Sequence, residues 1–81
     1  MIIRVQLFAV AREIAGSDEV SFEVNDGATI RDIRRQMSAN LPAMDRILSH
    51  ARWAVDAEFV SDDHLVSERS EIALIPPVSG G

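Results

Sequence analysis

The sequence predicts a single two-layer α+β domain, in which one main helix packs across one face of a mixed sheet. Three observations lead to this prediction. First, 81 residues with 47% hydrophobic content provide for one core and leave no room for a second. Second, two segments near the N-terminus alternate apolar and polar residues, as strands with one buried face do. Third, one long segment has helical spacing, and one helix is too few to cover both faces of a sheet.

Two strands and a short helical turn are predicted before the main helix. In the first strand, at residues 2–9, the odd-numbered positions, Ala9 included, share an apolar face, whereas Phe8 lies on the opposite face. Residues 11–15 can form a helical turn that ends at a glycine. Residues 20–24 alternate again and form the second strand.

The main helix has clear start and stop signals. The turn sequence at residues 25–27 tolerates positive φ. Thr29 is then the expected N-cap, and Asp32 stands where a capping-box partner is needed. Apolar residues follow at helical spacing, so we expect the helix to run to about Asn40, before Pro42 stops it.

The second half of the chain is predicted to complete the sheet. Residues 42–49 can form a short helix, and residues 53–55 and 58–60 form two short strands around a turn. The last strand is predicted at residues 71–75, and Pro76-Pro77 prevents further ladder pairing. If the first and last strands pair in parallel at the centre of the sheet, the domain has the β-grasp arrangement.

Composition and charge exclude several classes of function. The chain has no cysteine, which excludes disulfides, thiolate metal sites and a cysteine nucleophile. Its formal net charge of −5 argues against nucleic-acid binding and favours a partner with a basic docking surface. No signal peptide or membrane-spanning stretch is recognisable, so we expect a cytoplasmic protein with no membrane contact.

The C-terminal segment is the strongest functional feature of the sequence. Its last residues read Pro76-Pro77-Val78-Ser79-Gly80-Gly81. Because glycine has no side chain, Gly80 and Gly81 can enter a channel that would reject any Cβ. The five residues after Pro76 could reach ~16 Å if extended. We therefore expect a β-grasp domain over residues 1–77 and a flexible tail at residues 78–81, with the Gly81 carboxylate as the working group.

A carboxylate is a poor electrophile and must be activated before it can accept another group. Activation as an acyl adenylate needs ATP-Mg, and the chain has no phosphate-cradling glycine loop of its own. We therefore expect no intrinsically bound cofactor, and a partner must perform the activation.

The segment around His64 has a structural interpretation. His64, beside Asp62 and Asp63, could suggest a metal site or a triad, but a polar turn is the better interpretation. We expect no metal site. Trp53 is expected to anchor the core.

Several segments resemble the small, sulfur-carrying subunits of molybdopterin synthases, which are ubiquitin-like proteins. The resembling segments are Leu7-Phe8-Ala9, Arg12-Glu13, Ala54-Val55-Asp56, Phe59-Val60 and residues 73–81. The resemblance covers nearly the whole chain, and its C-terminal motif is the most specific part.

The resemblance implies a mechanism that centres on Gly81. A ubiquitin-activating-type enzyme adenylates the carboxylate, and a sulfur donor converts the adenylate into a thiocarboxylate. The charged chain then inserts its tail into the large synthase subunit, which holds the catalytic pocket in a heterotetramer. There, sulfur is transferred to a cyclic pyranopterin phosphate, and two carriers supply the two dithiolene sulfurs.

The resemblance also assigns residues to these steps. The residues that enter the channel with Gly81 are Val78, Ser79 and Gly80. The residues that contact the partners are Phe8, Arg12, Phe59, Ile75 and Pro76. Phe8, Phe59 and Ile75 are expected to form one exposed apolar patch, with the alternative that Phe59 completes the core.

Three other functions share features of this sequence. The chain could be a sulfur carrier of another pathway, such as the thiamin-type carriers, or a ubiquitin-like protein modifier that forms isopeptide bonds through Gly81. It could also be a plain interaction module. Fold alone cannot separate these functions.

Overall fold

The computed structural model describes residues 1–77 and contains one five-stranded mixed sheet. The strands are β1 (Ile2–Leu7), β2 (Glu19–Glu23), β3 (Arg52–Val55), β4 (Glu58–Val60) and β5 (Ile72–Ile75). Their order across the sheet is β2-β1-β5-β3-β4. β1 and β5 are parallel, and the other neighbouring pairs are antiparallel. The predicted β-grasp arrangement, with the first and last strands paired at the centre, is confirmed.

Three helices and a 3-10 turn accompany the sheet. They are α1 (Ala9–Ala15), α2 (Ile30–Asn40), the 3-10 turn Pro42–Met44 and α3 (Asp45–Leu48). No helix in the described part of the chain is long and apolar enough to cross a membrane.

The main helix, α2, begins and ends where the sequence predicts. The Thr29 hydroxyl accepts a hydrogen bond from the Asp32 N–H at 3.4 Å, and Asp32 Oδ2 accepts one from the Thr29 N–H at 2.9 Å. This reciprocal pair is a capping box, and it satisfies two donors at the start of the helix. At the other end, the Leu41 N–H donates to the Met37 carbonyl at 2.7 Å, and Pro42 follows.

The core lies between α2 and one face of the sheet. Its largest fully buried side chains are Ile3, Val5, Ile30, Ile33, Met37, Met44, Ile72 and Leu74. Trp53 on β3 is only 4% exposed and anchors the core as predicted. Burial of this apolar surface is the main stabilising contribution to the fold.

The first strand is shorter than predicted. β1 ends at Leu7, and Ala9 has a φ of 50° and an exposed side chain, so the expectation that Ala9 shares the buried face is wrong. The left-handed backbone at Ala9 ends the strand, and α1 begins there, two residues earlier than predicted. Phe8 becomes the extended N-cap residue of α1 and remains exposed.

The last strand is also shorter by one residue because of a contact with the β3–β4 turn. The Glu71 N–H donates to Asp56 Oδ1 at 3.0 Å, and the Asp56 N–H donates to the Glu71 carbonyl at 2.9 Å. Asp56 and Ala57 both have positive φ, which produces the tight turn between β3 and β4. The pair thus holds the start of β5 against this turn.

The segment around His64 forms a polar turn that packs on the start of α2. The His64 carbonyl accepts a hydrogen bond from the Ile30 N–H at 3.0 Å. Two ion pairs hold the same turn, Arg31–Asp63 at 2.8 Å and Arg34–Asp62 at 2.5 Å. Asp62 and Asp63 therefore serve to attach this turn to α2 through ion pairs with its arginines.

Candidate functional site

The face of the sheet opposite to α2 carries an unusual row of residues. The paired positions Gln6, Ala73, Ala54 and Phe59 stand side by side on β1, β5, β3 and β4. The two alanines at the centre of this row are too small to fill the surface above them. Phe59, on the edge strand, is 55% exposed, and its ring projects from the sheet beside the two alanines. This open face of the sheet therefore has a depression along its middle.

The depression is a groove of about 370 Å³ that brings together Phe8, Phe59 and Ile75. The other lining residues are Gln6, Ala54, Ala57, Glu71, Ile72 and Ala73. Phe8 is 44% exposed, and Ile75 is half-buried. Because Phe59 is more exposed still, the structure excludes the alternative that it completes the core. Clusters of large exposed apolar side chains on a small domain usually mark a binding surface.

The backbone of β5 brings the chain to the rim of this groove. Ile75 is the last residue of β5, and it pairs with Arg52 of β3. Pro76 is half-buried and lacks an N–H, so the ladder cannot continue past it. The chain therefore leaves the sheet beside the apolar lining of the groove. Val78, Ser79, Gly80 and Gly81 lie outside the described residues, and their assigned roles stay predictions.

Arg12 lies next to the groove, on the exposed side of α1. Its guanidinium forms an ion pair with Asp18 at 3.5 Å. Both residues line a smaller depression that also includes Phe8 and Gln6. Arg12 is thus placed near the predicted patch, at its edge on the α1 side.

One residue beside the groove, in contact with Phe59, is missing from the sequence prediction. The guanidinium carbon of Arg52 lies 3.7 Å from the centroid of the Phe59 ring, in a cation–π contact. The predicted strand begins at Trp53, one residue too late to include Arg52. With Arg52 included, the period-two pattern places it and Ala54 on the face opposite to the buried Trp53.

The lining of the groove is suited to docking and carries no set of groups for acid–base chemistry. Its side chains are alkyl and aromatic groups, one amide and the Glu71 carboxylate. A clear electrostatic effect occurs elsewhere, at the cap of α2, where the hydrogen bond from the Thr29 N–H lowers the pKa of Asp32.

Comparisons with known proteins identify relatives over the full length of the chain. The ThiS family model matches residues 5–81. The molybdopterin synthase sulfur carrier subunit of Chlamydomonas reinhardtii is 40% identical over 83 residues, and the match covers 100% of both chains.

Solved structures support the same fold. SAMP1 from Haloferax volcanii superposes with a TM-score of 0.87 at 29% identity, with 100% of both chains covered. One chain of the complex between subunits 1 and 2 of the molybdopterin-converting factor from Helicobacter pylori superposes with a TM-score of 0.70 at 20% identity. The match again covers 100% of both chains. The second likeness, at this low identity, bears on the fold alone.

Proposed function

We propose that this chain, which belongs to the ThiS family, is the sulfur carrier subunit of a molybdopterin synthase. The observation that carries the proposal is the position of the groove. Phe8, Phe59 and Ile75 line an exposed apolar surface at the point where the chain leaves β5 toward Gly80-Gly81. A partner that covers this surface would receive the C-terminal residues at the same time. The full-length similarity to a sulfur carrier subunit supports the same role.

The proposed chemistry takes place at the Gly81 carboxylate. An adenylating enzyme holds ATP-Mg, and the carboxylate attacks the α-phosphorus and releases pyrophosphate. A sulfur donor then delivers hydrosulfide, which displaces AMP from the acyl carbon and leaves a thiocarboxylate. In the synthase, the thiocarboxylate sulfur attacks a carbon of the cyclic pyranopterin phosphate and displaces an oxygen substituent from it, so that a C–S bond forms as a C–O bond breaks. Water cleaves the remaining bond between the sulfur and the Gly81 acyl carbon, which restores the carboxylate.

The groove provides the docking step for both partners in this scheme. We infer that the adenylating enzyme and the large synthase subunit each cover Phe8, Phe59 and Ile75, with Arg12 and Pro76 at the edge. Because both partners use one surface, they bind in turn, and the chain must leave one before it reaches the other. The large subunit supplies the catalytic pocket, and two copies of each subunit form a heterotetramer. We place this cycle in the cytoplasm, where ATP is supplied.

A second candidate function is protein modification through an isopeptide bond at Gly81. The observation that favours it is the TM-score of 0.87 with SAMP1 from Haloferax volcanii, at 29% identity. Related structures carry the name small archaeal modifier protein 1. The two functions share the fold and the activation step, so they differ only in the nucleophile that meets the activated Gly81.

Recovery of partners from the native cells separates these functions. With an N-terminally tagged chain, we expect the large subunit of molybdopterin synthase to co-purify in a stoichiometric complex. Recovery of a thiazole synthase would instead indicate a thiamin-type carrier. A ladder of lysine-linked conjugates would indicate a modifier. The Phe59→Ala variant serves as the control, because it should lose the complex while the domain stays folded.

A further inference from the structure

Arg52 holds a defined position beside the groove, where it contacts Phe59. It is the first residue of β3 and pairs with Ile75, the last residue of β5. Its side chain is on the open face of the sheet, where the guanidinium carbon lies 3.7 Å from the centroid of the Phe59 ring. Arg52 therefore stands beside both the apolar wall of the groove and the point at which the chain leaves the sheet.

The contact with Phe59 orders the guanidinium and leaves its N–H edges available. Stacking occupies one flat face of the guanidinium, whereas its hydrogen-bond donors point outward in the plane. Within residues 1–77, ion pairs form at Arg12, Arg31 and Arg34, and none of them includes Arg52. An ordered guanidinium with unused donors needs little further ordering to bind a planar anion, which lowers the entropic cost of association.

The charge of Arg52 is opposite to that of the chain as a whole. The formal net charge is −5, so the long-range field favours a partner with a basic surface. Glu71, which lines the same groove, has the sign of the net charge, whereas Arg52 reverses it locally. A group of reversed sign at a docking surface helps to fix the register of the complex, because a misplaced partner would bring like charges together.

From these observations we infer that Arg52 is a specificity-determining contact of the groove, which pairs with an Asp or Glu carboxylate of the large synthase subunit at the entrance to its tail channel. This inference rests on the proposed function and adds one residue and its counter-group to it. The stack on Phe59 holds the guanidinium in place, and the fork of N–H donors matches the two oxygens of a carboxylate.

The proposed function separates Arg52 from any phosphate bound at Gly81, because the tail must extend into a channel of the partner. The six residues that follow Ile75, up to Gly81, span up to ~20 Å when extended into a channel. A phosphate that reacts with or binds beside Gly81 would then lie far beyond the reach of a side chain at position 52. A carboxylate at the channel entrance lies where Arg52 can contact it.

The test compares two charge reversals that alter the net charge equally. Arg52→Glu reverses the charge at the groove, and Arg35→Glu reverses an exposed arginine on α2, in the other layer of the domain. The affinity for the large subunit, measured by isothermal titration calorimetry, should fall by ~10-fold or more for Arg52→Glu. For Arg35→Glu it should fall by less than about 2-fold. Arg52→Lys, which keeps the charge without the planar fork, should lie between wild type and Arg52→Glu.

Several outcomes would overturn the inference. Equal losses for Arg52→Glu and Arg35→Glu would assign the effect to net charge. Equal losses for Arg52→Lys and Arg52→Glu would assign it to the packing of Phe59. Wild-type affinity in Arg52→Glu would remove Arg52 from the interface while leaving the proposed function intact. If the wild-type chain itself did not bind the large subunit, the proposed function and the inference would both fail.

Discussion

Phe59 is the residue whose exposure separates docking from folding most sharply. Its side chain is 55% exposed and stacks under Arg52, so its truncation removes little core contact. We expect Phe59→Ala to weaken binding to the large subunit by ~2 kcal/mol or more while its melting temperature stays near that of the wild type. Isothermal titration and thermal unfolding of the same sample measure the two effects.

Phe22 provides the matched control for this substitution. It is the same residue type but is buried on β2, so Phe22→Ala should lower the free energy of unfolding by ~3–5 kcal/mol. A loss of stability in Phe59→Ala similar to that of Phe22→Ala would contradict the exposed position of Phe59 and move the docking surface elsewhere.

Gly80 is the residue at which the channel hypothesis can be tested by size alone. Replacing Gly80 with valine adds a branched side chain to the segment that must enter the partner, so thiocarboxylation and sulfur transfer should both slow strongly. The melting temperature should stay unchanged, because the hydrophobic core is formed by residues 1–77. Ser79→Val serves as a comparison one position earlier. Normal rates in Gly80→Val would contradict a narrow channel.

At the scale of elements, β5 connects the core to the site. Ile72 and Leu74 point into the core, whereas Ala73 and Ile75 face the groove. β5 lies between β1 and β3, and the Asp56 side chain holds its first residues. The chain therefore leaves the sheet from a central strand that is hydrogen-bonded on both sides, so the C-terminal residues begin at a fixed position.

The capping box of α2 predicts a specific pH dependence of stability. The hydrogen bond from the Thr29 N–H is the main cause of the lowered pKa of Asp32. A carboxyl group with a lowered folded-state pKa stabilises the fold above its unfolded pKa of ~3.9, and this contribution is lost as the pH falls through the folded pKa. The free energy of unfolding of wild type relative to Asp32→Asn should therefore shrink as the pH falls below ~4.

Urea unfolding of wild type and Asp32→Asn across this pH range measures the difference in their free energies of unfolding. The Thr29→Ala variant removes the other half of the capping box and should lower the free energy of unfolding by ~1 kcal/mol at neutral pH. If the difference in free energy of unfolding between wild type and Asp32→Asn stayed constant from neutral to acid pH, the Asp32 charge would not contribute to the cap.

At the scale of the whole molecule, the sequence predicts most elements because their signals are local. The cap at Thr29 and the stop at Pro42 give the bounds of α2 correctly. The early end of β1 is missed because alanine disfavours the positive φ that Ala9 adopts. Local sequence preference and tertiary structure disagree at this point, and Phe8 becomes the N-cap residue of α1 rather than a residue of the strand.

The groove could be predicted only in part, because it depends on which strands are neighbours. Alternation along the predicted first strand places Phe8 on its outer face. The two alanines at the bottom of the groove, however, lie together because Ala54 of β3 pairs with Ala73 of β5. The stacking of Arg52 on Phe59 likewise requires the β3–β4 pairing. These contacts join residues from separate strands, and the spacing within any one strand does not reveal them.

The most direct test of sulfur carriage is the intact mass of the chain after incubation with an adenylating enzyme, ATP-Mg and a sulfur donor. We expect the mass increase of one oxygen replaced by sulfur, located at Gly81 by fragmentation. A chain without Gly81 should show no such increase and should unfold at the wild-type temperature. Sulfur transfer at the full rate by the chain without Gly81 would contradict the role of this carboxylate. So would an unchanged mass of the wild-type chain under conditions that charge an established carrier.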